Sequence, residues 1–378
     1  MTTLRVVVDQ VAAPVPGGIG RYTDELTREL IATAPADCEV EGIVSAVSKE
    51  KFDQIEASFP GLAALHRTAL PRRELSAAWQ LGIVTQGLAN GMVHAPGLLA
   101  PLTRHDRGTD GNQIVVTIHD TLAWSHPGSL TPISVAWQKA MVKRARKHAD
   151  AIVVPTHAVA NELRSFVDFG DRIRVIGGAA ASSLVLPTDA DGRARTLDLP
   201  SEYLLTIGSL DPRRGITELI TGLGRPGAPD LPLLIVGQDS WGDITLAEVA
   251  DEAGLPEGRV RALGFLDDAD LAVVLDRASA FIYPSLAEGF GLPLVEAFRF
   301  GTPVIHSDVP ALVEVGGGAG VVVESGAKGY PERLVAAIES VLGDSKRLDQ
   351  LRILGTDREQ AFSWRDSAER VWQLHADL

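Results

Sequence analysis

Short runs of β-branched and aliphatic residues alternate with amphipathic stretches along the whole chain. The runs predict strands at Leu4–Val8, Ile114–Ile118, Ala151–Val154, Ile173–Ile176, Tyr203–Ile207, Leu233–Val236, Arg259–Leu263, Phe281–Tyr283 and Val304–Ile305. Between them apolar residues recur at helical spacing, as in Tyr22, Leu26 and Leu30, or Ile244 and Val249. Strand–helix alternation predicts an α/β class, with parallel sheets covered by helices on both faces, and argues against an all-β or bundle fold. The pattern stops at "LVLPTDADGRARTLDLP", residues 184–200, where Pro, Asp and Gly take over. Two doubly wound, Rossmann-like domains are therefore expected at 1–185 and 195–360. In 361–378, Trp364, Ala368, Val371 and Trp372 share one helical face, which predicts a C-terminal helix packed back on the body. No repeat of solenoid period is evident.

Length supports the division, since 378 residues exceed the roughly 250–300 at which single cores stop growing. With 45% hydrophobic and 22% charged residues and a mean hydropathy of +0.10, the composition is that of a soluble globular protein. No apolar run approaches the ~20 residues a bilayer span needs. No charged-then-apolar leader opens the chain, and cytoplasm is the expected compartment. Cys38 stands alone, which excludes an internal disulfide and a cysteine metal cluster. The net charge of −14 is uneven: residues 1–190 hold 18 Lys and Arg against 19 Asp and Glu, and residues 191–378 hold 17 against 30. A nucleic-acid binder is expected to be basic overall, which this chain is not. The near-neutral first half leaves room for an approach to an acidic surface such as a membrane.

Ligands of open α/β sheets bind outside the carboxyl ends of the strands, and the unusual residues fall there. "PVPGGIGRY" (14–22) follows the first strand and opens a helix, so the N–H groups near Gly17 and Gly18 can face an anion. Thr23 occupies the third glycine position of a dinucleotide fingerprint, which leaves a tight turn or a phosphate- or sugar-contacting loop. His119 closes the strand of "IVVTIHD" beside Asp120, as a hydrogen-bonded rim residue or a functional one. Asp211-Pro212-Arg213-Arg214-Gly215 precedes the helix "ITELITGL". Two arginines at a helix N-terminus oppose the helix dipole. They make sense either around a bound anion, which guanidinium binds bidentately, or as a solvated basic turn.

"PSLAEGFGLPLVEAF" (284–298) places Glu288 before a Gly-Phe-Gly turn and Glu296 eight positions later. Pro293 suits a first helical turn, and Gly291 permits close backbone approach. The N–H groups around Gly291 and Leu292 would then point at a phosphate. Glu296, about one turn into the helix, can accept from neutral hydroxyls, and Glu288 on its loop is free to reach further into a cleft. Asp268 and Asp270 in "LDDADL" satisfy an Asp-x-Asp metal pattern, yet they open a helix, where Asp is expected as a cap. No metal and no cofactor are expected. In "SVAWQKAMVKRARKH" (134–148), Lys139, Lys143 and Lys147 form a stripe opposite Trp137, Met141 and Ala145. That stripe is either a solvated face or a contact for anionic lipid.

Together "GGIGRYTDEL", "VVTIHDTLAW", "VVPTHAVANEL", "YLLTIGSLDPRRG", "RVRALGFLDDADL" and "YPSLAEGFGLPLVEAFRFGTPVIHSDVPALVEV" resemble, in order and over nearly the whole chain, the retaining glycosyltransferases of family 4. The resemblance implies a GT-B fold, with two Rossmann-like domains facing across a cleft. It further implies a nucleotide-sugar donor held mainly by the second domain and a glycan or lipid-linked acceptor met by the first. Transfer would retain anomeric configuration, with GDP-mannose as the expected donor and polysaccharide or glycolipid assembly as the setting. By position, Glu296 would hold the donor ribose and the Gly291–Leu292 backbone the diphosphate or sugar. Glu288 and His119 would meet the transferred sugar, Gly17 and Gly18 the diphosphate, and the Leu266 backbone the base. Arg214 stands where the family usually has a phosphate-binding lysine, with Arg213 beside it. Gly215 replaces a frequent asparagine, and His306 a usually small residue. A nucleotide-sugar epimerase of the same fold and a catalytically idle nucleotide-sugar-binding protein are the rival expectations.

Overall fold

The computed structural model describes residues 2–13, 17–84, 87–105, 111–326 and 328–378. It forms two compact units, Met1–Gly178 with Ser363–Leu378, and Ala179–Phe362. The first holds a seven-stranded parallel sheet of β1 (Thr2–Val7), β2 (Cys38–Val44), β3 (Ala64–Arg67), β4 (Met92–Ala95), β5 (Gln113–Thr117), β6 (Ala151–Val154) and β7 (Ile173–Val175), in the order β3-β2-β1-β4-β5-β6-β7. The second contains β8 (Leu204–Ile207), β9 (Leu233–Val236), the hairpin β10 (Ser240–Trp241) and β11 (Ile244–Thr245), β12 (Val260–Gly264), β13 (Ala280–Tyr283), β14 (Val304–Ser307) and β15 (Val321–Val323). Its parallel sheet runs β12-β9-β8-β13-β14-β15. In both sheets the strand order reverses beside the first strand, between β1 and β4 and between β8 and β13. Such switch points open a crevice at the carboxyl edge.

All nine strands read from the sequence are present. Central strands such as β6 (AIVV), β9 (LLIV) and β13 (AFIY) are buried at every position, because helices cover both faces. The helix Gly17–Ala32 buries Tyr22, Leu26 and Leu30 as its periodicity predicts. Ile244 differs: it is an exposed residue of β11, and the helix bearing Val249 begins only at Leu246, after a Thr245–Glu248 capping box.

The stretch 184–200 lies inside the second unit rather than between the two, which divide at Gly178/Ala179. It carries a short helix, Ala190–Thr196, held by Arg193 Nη1 donating to Asp270 Oδ1 at 2.7 Å. Polar surface bonds secure this segment, so it lacks apolar periodicity. The C-terminal helix Trp364–Asp377 returns to the first unit, burying Trp364, Ala368, Val371 and Trp372. Trp372 Nε1 donates to the Leu30 carbonyl at 3.1 Å, which docks it on the helix Gly17–Ala32. His306 is buried in β14, and a Cβ added at Gly316 or Gly320 would lie 2.8 or 2.7 Å from its ring. Two glycines thus make room for the larger residue.

Candidate active site

A network of charged and hydrogen-bonded side chains lies at the β8/β13 switch point of the second unit. After β8, Asp211 is 4% exposed and organises the turn Pro212–Arg214. Its Oδ1 accepts from Arg213 N at 3.1 Å, and its Oδ2 from Arg213 Nε at 2.7 Å. Gly215 follows at φ 63°, and a Cβ there would lie 2.1 Å from the Pro284 carbonyl oxygen. Only glycine lets the turn approach the loop after β13 so closely. Leu286 N donates to the Arg213 carbonyl at 2.6 Å and completes the stitch.

This contact carries Arg214 to Glu288, and the two form an ion pair. Tyr283 donates its hydroxyl to Glu288 Oε1 at 2.8 Å, Ser285 donates to the same oxygen at 3.1 Å, and Arg214 Nη1 lies 3.2 Å from the Tyr283 hydroxyl. The side chains of Glu288 and Arg214 are 10% and 24% exposed. The neighbouring Glu288 carboxylate raises the guanidinium of Arg214 further above its ordinary value. Burial, then the Glu288 charge, pushes the Tyr283 phenol up.

Two readings of the sequence change here. Glu288 is not free to reach outward: its Oε1 is committed to Arg214, Tyr283 and Ser285. Nor do the arginines wait for an external anion, since Arg213 has Asp211 and Arg214 has Glu288. The physical reason is that an uncompensated cation at this helix start is unfavourable, so the chain supplies its own carboxylates. Capacity for a ligand remains. Among the described residues the network leaves Glu288 Oε2 outside it and engages Arg214 through Nη1 alone. Guanidinium has five N–H donors.

Gly291, at φ 87°, caps the helix Leu292–Arg299, with Pro293 in its first turn. A Cβ at Gly291 would lie 2.5 Å from Leu312 and 3.2 Å from the Tyr283 ring, so this glycine seats the helix start on the tyrosine that holds Glu288. Glu296 is 4% exposed within that helix. Leu266 is half-buried in the loop after β12, at the same sheet edge. Asp268 and Asp270 face the body of their own unit: Ser183 donates to Asp268, Arg193 to Asp270, and Asp267 is the helix cap. Among the described residues no group of three or more His, Cys, Asp or Glu is placed to hold a metal ion.

In the first unit, Gly17 and Gly18 are exposed at the start of their helix, and nothing lies within 4 Å of a Cβ built at Gly17, which has φ 59°. His119 follows β5 and is half-buried. Its Nε2 bonds the Pro96 carbonyl at 2.7 Å, which requires the proton on Nε2 and leaves Nδ1 as the acceptor. Burial lowers its pKa, only partly offset by the Pro96 carbonyl and Asp120, so the ring is neutral near pH 7. The Tyr22 ring meets it edge-on at 4.7 Å. Lys139, Lys143 and Lys147 are exposed on the helix Pro132–His148, while Met141 and Ala145 are buried beneath. Among the described residues no helix is long and apolar enough to cross a membrane.

The sequence reading did not single out Asp211, Tyr283 or Ser285 as site residues. Only proximity reveals them, although Tyr283 and Ser285 flank the Pro284 that opens the Glu288 loop.

Comparison with known proteins places the chain in a family. Residues 16–179 match the family model "Glycosyltransferase Family 4", and residues 189–357 match "Glycosyl transferases group 1". The chain is 30% identical to O-antigen chain mannosyltransferase B of Escherichia coli, over 92% of both proteins. It is 28% identical to D-inositol 3-phosphate glycosyltransferase of Rhodococcus erythropolis, over 99% of this chain and 90% of that one. In fold it is similar to HepE of Anabaena, solved with UDP and glucose, with a TM-score of 0.74, 16% identity and full coverage of both chains.

Proposed function

The chain belongs to the group 1 glycosyltransferases of GT-B fold, and on that premise we propose that it transfers a sugar, with retention, from a nucleoside diphosphate donor to a glycan or glycolipid acceptor. GDP-mannose is the donor we favour, on the strength of the mannosyltransferase relative. The observation that carries the reading is the Arg214–Glu288 pair at the β8/β13 switch point.

As the bond between the sugar C1 and the phosphate oxygen breaks, the leaving diphosphate gains negative charge. The unengaged N–H groups of Arg214, with Arg213 and the N-terminus of the helix Leu292–Arg299, are assigned to that charge, so no divalent cation is required. Glu288 fixes Arg214 before substrate arrives and turns Oε2 toward a hydroxyl of the transferred sugar. The acceptor hydroxyl attacks on the face the phosphate leaves, and a phosphate oxygen takes its proton. Glu296 accepts from the ribose hydroxyls, the Gly291–Leu292 backbone contacts the diphosphate, and the Leu266 backbone meets the base. In the first unit, Gly17 and Gly18 are assigned to the diphosphate, and His119, through neutral Nδ1, to the sugar. The exposed lysines 139, 143 and 147 suit a peripheral contact with anionic lipid at the inner face of a membrane.

The test is incubation with GDP-mannose, UDP-glucose and dTDP-sugars, with and without a mannoside acceptor, in EDTA. Acceptor-dependent release of nucleoside diphosphate and a product of retained configuration are expected. Acceptor-independent isomerisation of the donor would identify an epimerase, and binding without turnover an idle binding protein. Activity lost in EDTA and restored by magnesium or manganese would overturn the metal-free mechanism.

A further inference from the structure

Within the second unit by itself, the stretch from the Gly-Phe-Gly turn to the end of the next helix grips the two points where the chain enters and leaves. The chain enters this unit at Ala179 and leaves it at Phe362. At the entry, Ala179, Ala180 and Ala181 are buried and offer no side chain to hold, so only their backbone groups can be anchored. Arg299, the last residue of the helix Leu292–Arg299, donates from Nη1 to the Ala181 carbonyl. The same guanidinium reaches the exit, where its Nε and Nη2 each lie 2.9 Å from Glu359 Oε1. Glu359 ends the helix Ser345–Glu359, a place where a carboxylate opposes the helix dipole, and Arg299 offsets that cost.

A second contact reaches the exit from the other end of the stretch. Phe290, buried in the Gly-Phe-Gly turn, meets the Phe362 ring edge-on at 5.7 Å. The Arg358 guanidinium lies 4.8 Å from the centroid of the Phe362 ring and donates to the carbonyls of Val315 at 2.8 Å and Glu314 at 2.9 Å. Between Phe290 and Arg299 the helix is closely seated. A Cβ at Gly355 would lie 2.9 Å from the Phe298 ring, and one at Gly301 3.3 Å from the Thr356 hydroxyl. A helix of eight residues spans about 12 Å and moves as a rod, so a restraint at its start is felt at Arg299.

We propose that Arg299 and Phe290 couple nucleotide occupancy at the start of this helix to the entry and exit segments, so that a bound nucleoside diphosphate stiffens both. The inference rests on the assignment of the Gly291–Leu292 backbone and Glu296 to the donor. A diphosphate held at the helix start restrains the rod. Arg299 passes that restraint to Ala181 and Glu359, and Phe290 passes it to Phe362. Both are positioning residues and touch no reacting atom.

The test uses the full chain with GDP as the probe. Hydrogen exchange of residues 179–184 and 357–362 is followed by mass spectrometry, and GDP affinity by calorimetry. In the wild type, saturating GDP should slow exchange in both segments about tenfold, the scale of one charged hydrogen bond. Arg299→Met keeps an apolar stem and removes the guanidinium. It should bind GDP within twofold of the wild type, keep GDP-dependent protection of the helix 292–299, and lose that protection at 179–184. Arg299→Lys keeps the charge without the planar fork and should restore part of it. Phe290→Leu should weaken the GDP effect at 357–362 and leave 179–184 unchanged. GDP binding to the wild type without protection of either segment would overturn the proposal, and this arm needs no variant. So would protection in Arg299→Met equal to that of the wild type. A clasp that only stabilises the fold would speed exchange by the same factor with and without GDP, and that result also rejects the coupling. If the wild type binds none of GDP, UDP and dTDP, the donor assignment itself fails and the inference falls with it.

Discussion

At the switch point of the second sheet, two arginines are held by Asp211 and Glu288 on loops that Gly215 allows to touch. At the edge of the first sheet, one Asp9–Arg72 pair lines a cavity walled by Trp137 and a neutral His119. Both edges have the same topology, yet one is built around cations with donors to spare and the other around cancelled charge. The difference shows how one architecture can present two polarities: the strand ends supply position, and the loops supply charge. It also shows that an arginine is not by itself an anion site, since what matters is which of its donors its own carboxylate leaves over.

Removing Arg214 attacks this contrast most severely. Arg214→Ala is expected to lower kcat/KM for the donor on the order of a thousandfold, the upper range for losing one transition-state donor. Arg214→Lys should recover only part of that, because a point charge cannot hold Glu288 and a phosphate in the guanidinium geometry. Steady-state kinetics of both variants decides it, and equal rates for Lys and Arg would mean that charge alone suffices.

Acid separates the two units in another way. The first contains His94, His119 and His375, all with pKa values lowered chiefly by burial, His375 to about 4. The second contains buried His306, lowered for the same reason. In the unfolded chain these rings take protons near pH 6.5, whereas folded His375 does so only near 4. Stability is therefore lost as pH falls from about 6.5 toward 4, by roughly 3 kcal/mol for His375 alone. Hydrogen exchange across that range should open the first unit before the second, and His375→Gln should shrink the acid-induced loss. Simultaneous opening of both units would contradict it.

Smaller effects follow. Glu296→Ala should weaken donor affinity by about 1–2 kcal/mol with little change in kcat, since ribose contacts persist from bound substrate to transition state. Charge reversal at Lys139, Lys143 and Lys147 should reduce binding to anionic vesicles, each lysine contributing about 1 kcal/mol near the surface. Sedimentation with vesicles at two salt concentrations measures it, and salt-insensitive binding would remove the membrane from the account.

Much of the scaffold was legible because buried parallel strands are written as continuous apolar runs. The strands that escaped notice break that rule. β2 and β3 lie toward one edge and carry a polar cluster, in which Glu41 accepts from Arg5 and meets His66. β4 contains buried His94, and β15 is a three-residue edge strand. In the site, Arg213, Arg214, Glu288 and Glu296 stand out singly by residue type and spacing. Their pairing does not, because Arg214 and Glu288 are 74 positions apart and meet only through the Gly215–Pro284 contact. Trp137 was read as one position on an amphipathic face. Only the fold shows that its indole N–H is buried without a partner.

The central claim, that Glu288 works through Arg214 and the transferred sugar rather than as a general binding residue, is tested most directly by Glu288→Gln. Calorimetric titration with the nucleoside diphosphate and steady-state turnover are measured on the same preparation. Nucleoside diphosphate binding should be no weaker than in the wild type, because Arg214 loses a competing carboxylate. The kcat should fall by about a hundredfold or more, the scale of an electrostatic transition-state contribution. Normal turnover by Glu288→Gln would contradict the account.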